Sequence, residues 1–264
     1  MIATRKSPLL IAHRGASTLA PENTLAAFAL ALRAGADGLE FDVRLSGDGV
    51  PVVIHDATLN RTGDRREAIS TLSMAELEKV DVGSWFNRRF PRRARAEYAK
   101  ERLPSLEQLF AAVSDNDCLL YLELKSDDQP NPDLVARVSE LILEYKIRER
   151  VIIESFTLEN LELFRRTDPH IKTAALFEPK RAPLSLLQSS RLIKRALAVQ
   201  ANEIALHHSV ARRRIVTAAR AAGLEVVVWT VDRPAWIARA RRLDVKALIT
   251  NRPAHMLHAR ATAD

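Results

Sequence analysis

The stretch Gly38-Leu39-Glu40-Phe41-Asp42-Val43-Arg44-Leu45-Ser46-Gly47-Asp48-Gly49-Val50-Pro51-Val52-Val53-Ile54-His55-Asp56 decides the fold. It holds two apolar, strand-like runs, 38–44 and 51–54, separated by Ser46-Gly47-Asp48-Gly49. Asp-Gly between such runs signals a hairpin, so the second run is expected to fold back antiparallel on the first. That reading matters because the chain offers strand candidates at 9–13, 38–44, 51–54, 119–124, 151–155, 172–177, 203–206, 225–230 and 247–250. Helical patterns lie between most of them, at 23–34, 105–113, 133–145, 158–166, 185–197, 210–222 and 234–243. Such alternation argues for a parallel α/β fold. Setting 51–54 aside as a hairpin arm leaves eight strands, and 264 residues suit one closed barrel. The expected architecture is a single (β/α)8 TIM-barrel domain over residues 1–264. Its rhythm is broken by a polar, Arg-rich insertion at about 57–103, after strand two.

Hydrophobic residues make up 47% of the chain, enough for a full core. No apolar run approaches the roughly 20 residues of a membrane span. The first apolar stretch stops at His13-Arg14, short of the ~7–15 residues of a secretory h-region. The lone cysteine, Cys118, reads as a small core residue and allows no internal disulfide. Together these point to the cytoplasm. The formal net charge is +7, with clusters at Arg88-Arg89, Arg92-Arg93-Arg95, Arg212-Arg213-Arg214 and Arg239-Arg241-Arg242. They are scattered and lack interleaved aromatics, so they read as solvated helix faces and argue against a nucleic-acid partner.

The chemistry-bearing residues sit where apolar runs end, the usual place for an active site on a barrel. Glu40 and Asp42 are an i, i+2 pair, which a strand points to one side. Two parallel carboxylates repel unless a cation or a shared proton holds them. Glu123 completes a three-carboxylate set suited to a hard divalent cation, Mg²⁺ or Ca²⁺ with Mn²⁺ as a further candidate. Zinc would want more nitrogen or sulfur. His13 and His55 supply an acid and a base near neutrality. Arg14 offers a planar fork for phosphate, Lys125 stands two residues from Glu123, and Gly15 permits close backbone approach to a ligand. Arg14 and His13 serve one ligand only if the backbone bends there. Glu22 precedes the N-cap candidates Asn23 and Thr24 and is available to orient Arg14 or a histidine. Phe156 and Trp229 either complete the core or wall the substrate cleft. His207-His208 read as rim residues or minor contributors to the site. Trp85 and Phe86, in the insertion, either touch substrate or pack a satellite core. The inventory suits metal-assisted hydrolysis of a phosphate ester.

In order along the chain, several pieces resemble the glycerophosphodiester phosphodiesterase family. They are His13-Arg14-Gly15, Pro21-Glu22-Asn23-Thr24, Glu40-Phe41-Asp42-Val43, Asp48-Gly49 through His55-Asp56, Leu59-Arg61-Thr62, Pro104-Ser105-Leu106-Glu107, Glu123-Leu124-Lys125, Ser155-Phe156 and Trp229-Thr230-Val231. The resemblance implies a TIM barrel with a small insertion after its second strand. It implies hydrolysis of small-molecule glycerophosphodiesters to glycerol 3-phosphate and an alcohol. It places the metal on Glu40, Asp42 and Glu123, makes His13 and His55 the acid/base pair, and sets Arg14 and Lys125 on the phosphate. Asn251 stands where the family usually carries Asp, which bears on a supporting contact near the mouth. Two rivals share the inventory: a phospholipase D-like hydrolase of lysophospholipids or sphingomyelin, and a catalytically silent anion-binding barrel.

Overall fold

The computed structural model describes residues 7–127, 129–179 and 189–263. Its strands are β1 (Leu9–His13), β2 (Gly38–Leu45), β3 (Pro51–Val53), β4 (Leu119–Leu124), β5 (Val151–Ser155), β6 (Lys172–Phe177), β7 (Glu203–His207), β8 (Glu225–Trp229) and β9 (Ala247–Thr250). β1 bonds in parallel to both β9 and β2, and the ladder continues through β8, β7, β6, β5 and β4 back to β2. The result is a closed parallel barrel of eight strands, with β3 antiparallel on β2 outside the ring. The hairpin turns at Asp48-Gly49, where Gly49 takes φ +80°, a conformation that suits glycine.

Helices α1 (Leu25–Arg33), α4 (Leu106–Ala112), α5 (Pro132–Glu144), α6 (Leu158–Thr167), α7 (Ser189–Ala198), α8 (Arg213–Ala221), α9 (Ala235–Leu243) and α10 (Pro253–Ala263) follow the barrel strands. Two short helices, α2 (Met74–Leu77) and α3 (Ser84–Arg89), belong to the insertion. Residues 185–188 of the expected 185–197 helix lie outside the described residues. Local chemistry sets the helix starts. Thr24, not Asn23, caps α1 by accepting from the Ala27 amide at 3.2 Å. Ser105 and Gln108 form a reciprocal capping box at α4. Among the described residues, no helix is long and apolar enough to cross a membrane.

Alternation along each strand creates two apolar layers. One lies between strands and helices and includes Leu10, Phe28, Leu39, Phe41, Leu122 and Phe164. The other fills the barrel interior with Ile11, Tyr121, Ile152, Ala174, Ala205, Val227 and Ile249. Beneath it, Glu203 accepts from the Tyr121 hydroxyl at 3.0 Å and pairs with Lys246, so these buried charges are matched.

The insertion makes its own cores. Leu59, Ile69, Leu72, Leu77, Val80 and Leu103 pack on Val52 and Ile54 of the hairpin arm. Phe86 and Tyr98, with Trp85 and Phe90 against them, pack on Ala27 and Leu30 of α1. Trp85 and Phe86 are thus satellite-core residues, and neither lines the central cavity described below. Phe86 is fully buried. Phe86→Ala is expected to cost ~3–5 kcal/mol in denaturant unfolding while leaving the ranking of substrates unchanged. A change in ranking without a stability loss would contradict this placement.

Candidate active site

The C-terminal ends of neighbouring strands bring the acidic residues together. His13 pairs in register with Glu40 across β1 and β2, and Asp42 pairs with Glu123 across β2 and β4. Glu40, Asp42 and Glu123 are all buried, and one carboxylate oxygen from each lies within 4.8 Å of the others. Two cations hold this cluster together. Lys125 Nζ sits 2.7 Å from Glu123 Oε1 and 3.0 Å from Asp42 Oδ1. Arg14 Nε lies 3.0 Å from Asp42 Oδ2 in an ionic contact out of line for a hydrogen bond. Asn23 donates to the same Asp42 oxygen at 2.8 Å.

These neighbours split the carboxyls by environment. Burial opposes the charged form of Asp42, but Arg14 and Lys125 outweigh it and hold its pKa well below the usual range. Burial, with Asp42 beside it, pushes Glu40 well up. Burial also raises Glu123, against the pull of Lys125. Asp42 Oδ1 is buried without a hydrogen bond. An all-oxygen set in which a buried oxygen meets only the charge of Lys125 fits a hard divalent cation.

The bend needed to share one ligand between His13 and Arg14 is present. Arg14 adopts φ +55° and Gly15 φ +80°. Gly15 is required by packing: a Cβ there would lie 2.6 Å from the backbone carbon of Ala27. Glycine lets the turn seat against α1. Arg14 is then fixed by Glu22, which accepts from its Nη1 at 2.9 Å. Arg61 of the insertion grips the same Glu22 through two bonds of 2.7 and 2.8 Å. Arg44, close in sequence to Asp42, instead donates to the His55 carbonyl at 2.8 Å.

The two histidines have unlike partners. His13 Nδ1 lies 2.7 Å from Asn251 Oδ1, and Ser17 donates to that same oxygen at 3.1 Å. Asp232 accepts from Asn251 Nδ2 at 2.9 Å, which sets the amide so that its oxygen faces His13. Nδ1 therefore carries the proton, and Nε2 lies 3.8 Å from Glu40 Oε2. Burial first, then Arg14, push the His13 pKa down to about 4, against Asn251, Asp42 and Glu22. His55 Nδ1 meets Asp56 Oδ1 at 2.5 Å. That hydrogen bond, with Arg61 at 2.6 Å, holds the Asp56 carboxyl below its usual range.

A cavity of about 260 Å³ opens over this cluster. His13, Arg14, Glu40, His55, Glu123 and Lys125 line one side, and Phe156, Trp229, Leu176, Ile249, Glu154 and Glu178 line the other. Phe156 and Trp229 meet edge to face at 5.6 Å, so both wall the cleft. His207 packs on Trp229 at the rim, with ring centroids 5.1 Å apart. Asp42 is tied to the cluster from beneath, and Glu22 touches the cavity only through Arg14. Sequence reading missed Glu154 and Asp232 and the link from Arg61 to Glu22. Arg61 alone carried a signal, as part of a family-like Leu59-Arg61-Thr62 segment.

Residues 13–255 match the sequence model of the Glycerophosphoryl diester phosphodiesterase family. The chain is 33% identical over 250 residues to a glycerophosphodiester phosphodiesterase of Caldanaerobacter subterraneus subsp. tengcongensis, covering 95% of this chain and 96% of that one. Its fold is similar to an Oleispira antarctica phosphodiesterase solved in complex with the product sn-glycerol-3-phosphate, with TM-score 0.83, 28% identity and 96% of each chain covered. It is also similar to a glycerophosphodiester phosphodiesterase from Agrobacterium tumefaciens, with TM-score 0.78 and 28% identity over 95% of this chain and 99% of that one. With the barrel, the acidic cluster and the matched sequence in agreement, the chain belongs to the glycerophosphoryl diester phosphodiesterase family, a family of phosphodiester hydrolases.

Proposed function

We propose that this chain hydrolyses glycerophosphodiesters to glycerol 3-phosphate and an alcohol, using a divalent cation and two histidines. The observation that carries the reading is the convergence of Glu40, Asp42 and Glu123 with Arg14, Lys125, His13 and His55 around one cavity. Arg14 and Lys125 bind the phosphate. Glu22 holds the Arg14 guanidinium in place, and Phe156 and Trp229 wall the bound ester. A divalent cation on the three carboxylates supplies Lewis-acid neutralisation of charge on the phosphate oxygens. Mg²⁺, Ca²⁺ and Mn²⁺ all suit the donors.

His13 is the general base. Its Nδ1 proton is committed to Asn251, so the Nε2 lone pair takes the proton of the attacking oxygen. Its low pKa keeps that lone pair free at neutral pH. His55 is the general acid: Asp56 holds its ring, and its proton goes to the alkoxide as the phosphorus–oxygen bond breaks. The unlike partners of the two rings support this division. The single cysteine, Cys118, is consistent with action in the cytoplasm.

The test is an assay of glycerol 3-phosphate release from sn-glycero-3-phosphocholine beside intact 1-acyl lysophosphatidylcholine. Release from the water-soluble diester is expected. Absence of glycerol 3-phosphate from every glycerophosphodiester offered would overturn the reading.

A further inference from the structure

The cavity has two unlike sides. The β1–β4 side is dense in charge, and the proposed reaction uses all of it. The β5–β9 side is mostly apolar, with Phe156, Leu176, Trp229 and Ile249 on its walls, and carries two carboxylates, Glu154 and Glu178. Glu154 is 1% exposed. In register it lies between Glu123 of β4 and the small Ala174 of β6, in the same layer as the acidic cluster. It is not part of that cluster, whose oxygens approach within 4.8 Å. Its Oε1 has no hydrogen-bond partner among the described residues. A buried carboxyl left unbonded is destabilising, so packing does not explain it.

A second polar atom on the same side is also unpartnered: the buried indole Nε1 of Trp229. Two unbonded buried atoms, the carboxyl oxygen of Glu154 and the N–H of Trp229, define the chemistry of the missing partner. A trimethylammonium group can pair its charge with the carboxyl but offers the indole N–H no acceptor. A hydroxyl satisfies both, because it accepts from the indole and donates to the carboxyl.

We propose that Glu154, with Trp229 Nε1, determines specificity by binding the terminal hydroxyl of the substrate's glycerol moiety, the hydroxyl remote from the phosphate. This rests on the reaction proposed above. With the phosphate on Arg14 and Lys125, this reading seats the far end of glycerol on the wall opposite them in the same cavity. A 1-acyl lysophospholipid has this oxygen esterified and offers no donor to Glu154. The enzyme therefore favours water-soluble diesters over lysolipids.

The experiment compares sn-glycero-3-phosphocholine with its 1-deoxy analogue, which keeps the 2-hydroxyl next to the phosphate. The wild-type enzyme is expected to prefer the full substrate. Glu154→Leu should reduce that preference roughly 10–100-fold, mainly through KM, because the hydroxyl loses its buried partner. Glu154→Gln keeps a hydrogen-bonding amide and should retain most of it. Thermal melting confirms folding, and Glu154→Ala carries the same comparison if the Leu variant does not fold. An unchanged preference in a folded Leu or Ala variant overturns the proposal. Loss of Mn²⁺ affinity by calorimetry in Glu154→Gln also overturns it, since that would make the residue a cation ligand. Calorimetric binding of sn-glycerol 3-phosphate and its 1-deoxy analogue reads the same selectivity without turnover. A wild-type protein that binds selectively but releases no product would count against the reaction and not against Glu154.

Discussion

Removal of either cavity histidine is expected to lower kcat by roughly 10²–10⁴, the range for losing a general acid or base. His13→Ala removes the Nε2 lone pair that Asn251 leaves exposed to the cavity. His55→Ala removes the ring held by Asp56. Neither ring belongs to the acidic cluster, so cation affinity should survive both changes. The measurement is steady-state turnover with Mn²⁺ binding by calorimetry on the same samples. Near wild-type turnover in either variant would end its acid/base assignment. A parallel loss of cation binding would show that the ring acts through the metal site.

Complete chelation is expected to abolish activity, and Mg²⁺, Ca²⁺ or Mn²⁺ should restore it. Three carboxylates within 4.8 Å of one another carry more negative charge than Arg14 and Lys125 offset. A substrate phosphate brought beside them adds to the repulsion unless a divalent ion intervenes. Glu123→Gln should weaken the restoring ion without unfolding the barrel, because Lys125 retains Asp42 as its partner. The readout is turnover against free cation concentration. Full activity after thorough chelation would remove the metal from the reaction.

Much of the barrel could be read before its structure. Parallel barrel strands are buried on both faces, so each appears as an apolar run bounded by turn residues. The hairpin was legible from Asp48-Gly49 alone, and it settled the count of strands. Helix α10 was not legible, because Pro253 reads as a breaker although it starts the helix, and the apolar positions Met256 and Leu257 give little period. The metal and histidine candidates were visible because each ends an apolar run. Glu154 was not, since it lies inside Val151-Ile152-Ile153 and Ser155 and its meaning depends on register with Glu123. Asn251 meets His13 across more than two hundred residues of chain, and Asp232 acts on it only by holding Asn251, links that spacing cannot reveal. The Trp85-Phe86 pair was ambiguous because aromatics in a polar insertion look the same whether they face substrate or α1.

The arc β1, β2, β4 with its hairpin is continuous in space and nearly continuous in sequence, running from His13 to Lys125. Every group we assign to bond making and breaking lies on it, whereas the apolar walls of the cavity come from later strands. Such a division makes the gene separable. A recombination joint between Lys125 and Glu154 would carry the reaction intact into a new recognition surface. The constraint on such hybrids falls at the closing seam between β9 and β1, where the incoming half must still present an acceptor to His13 as Asn251 does.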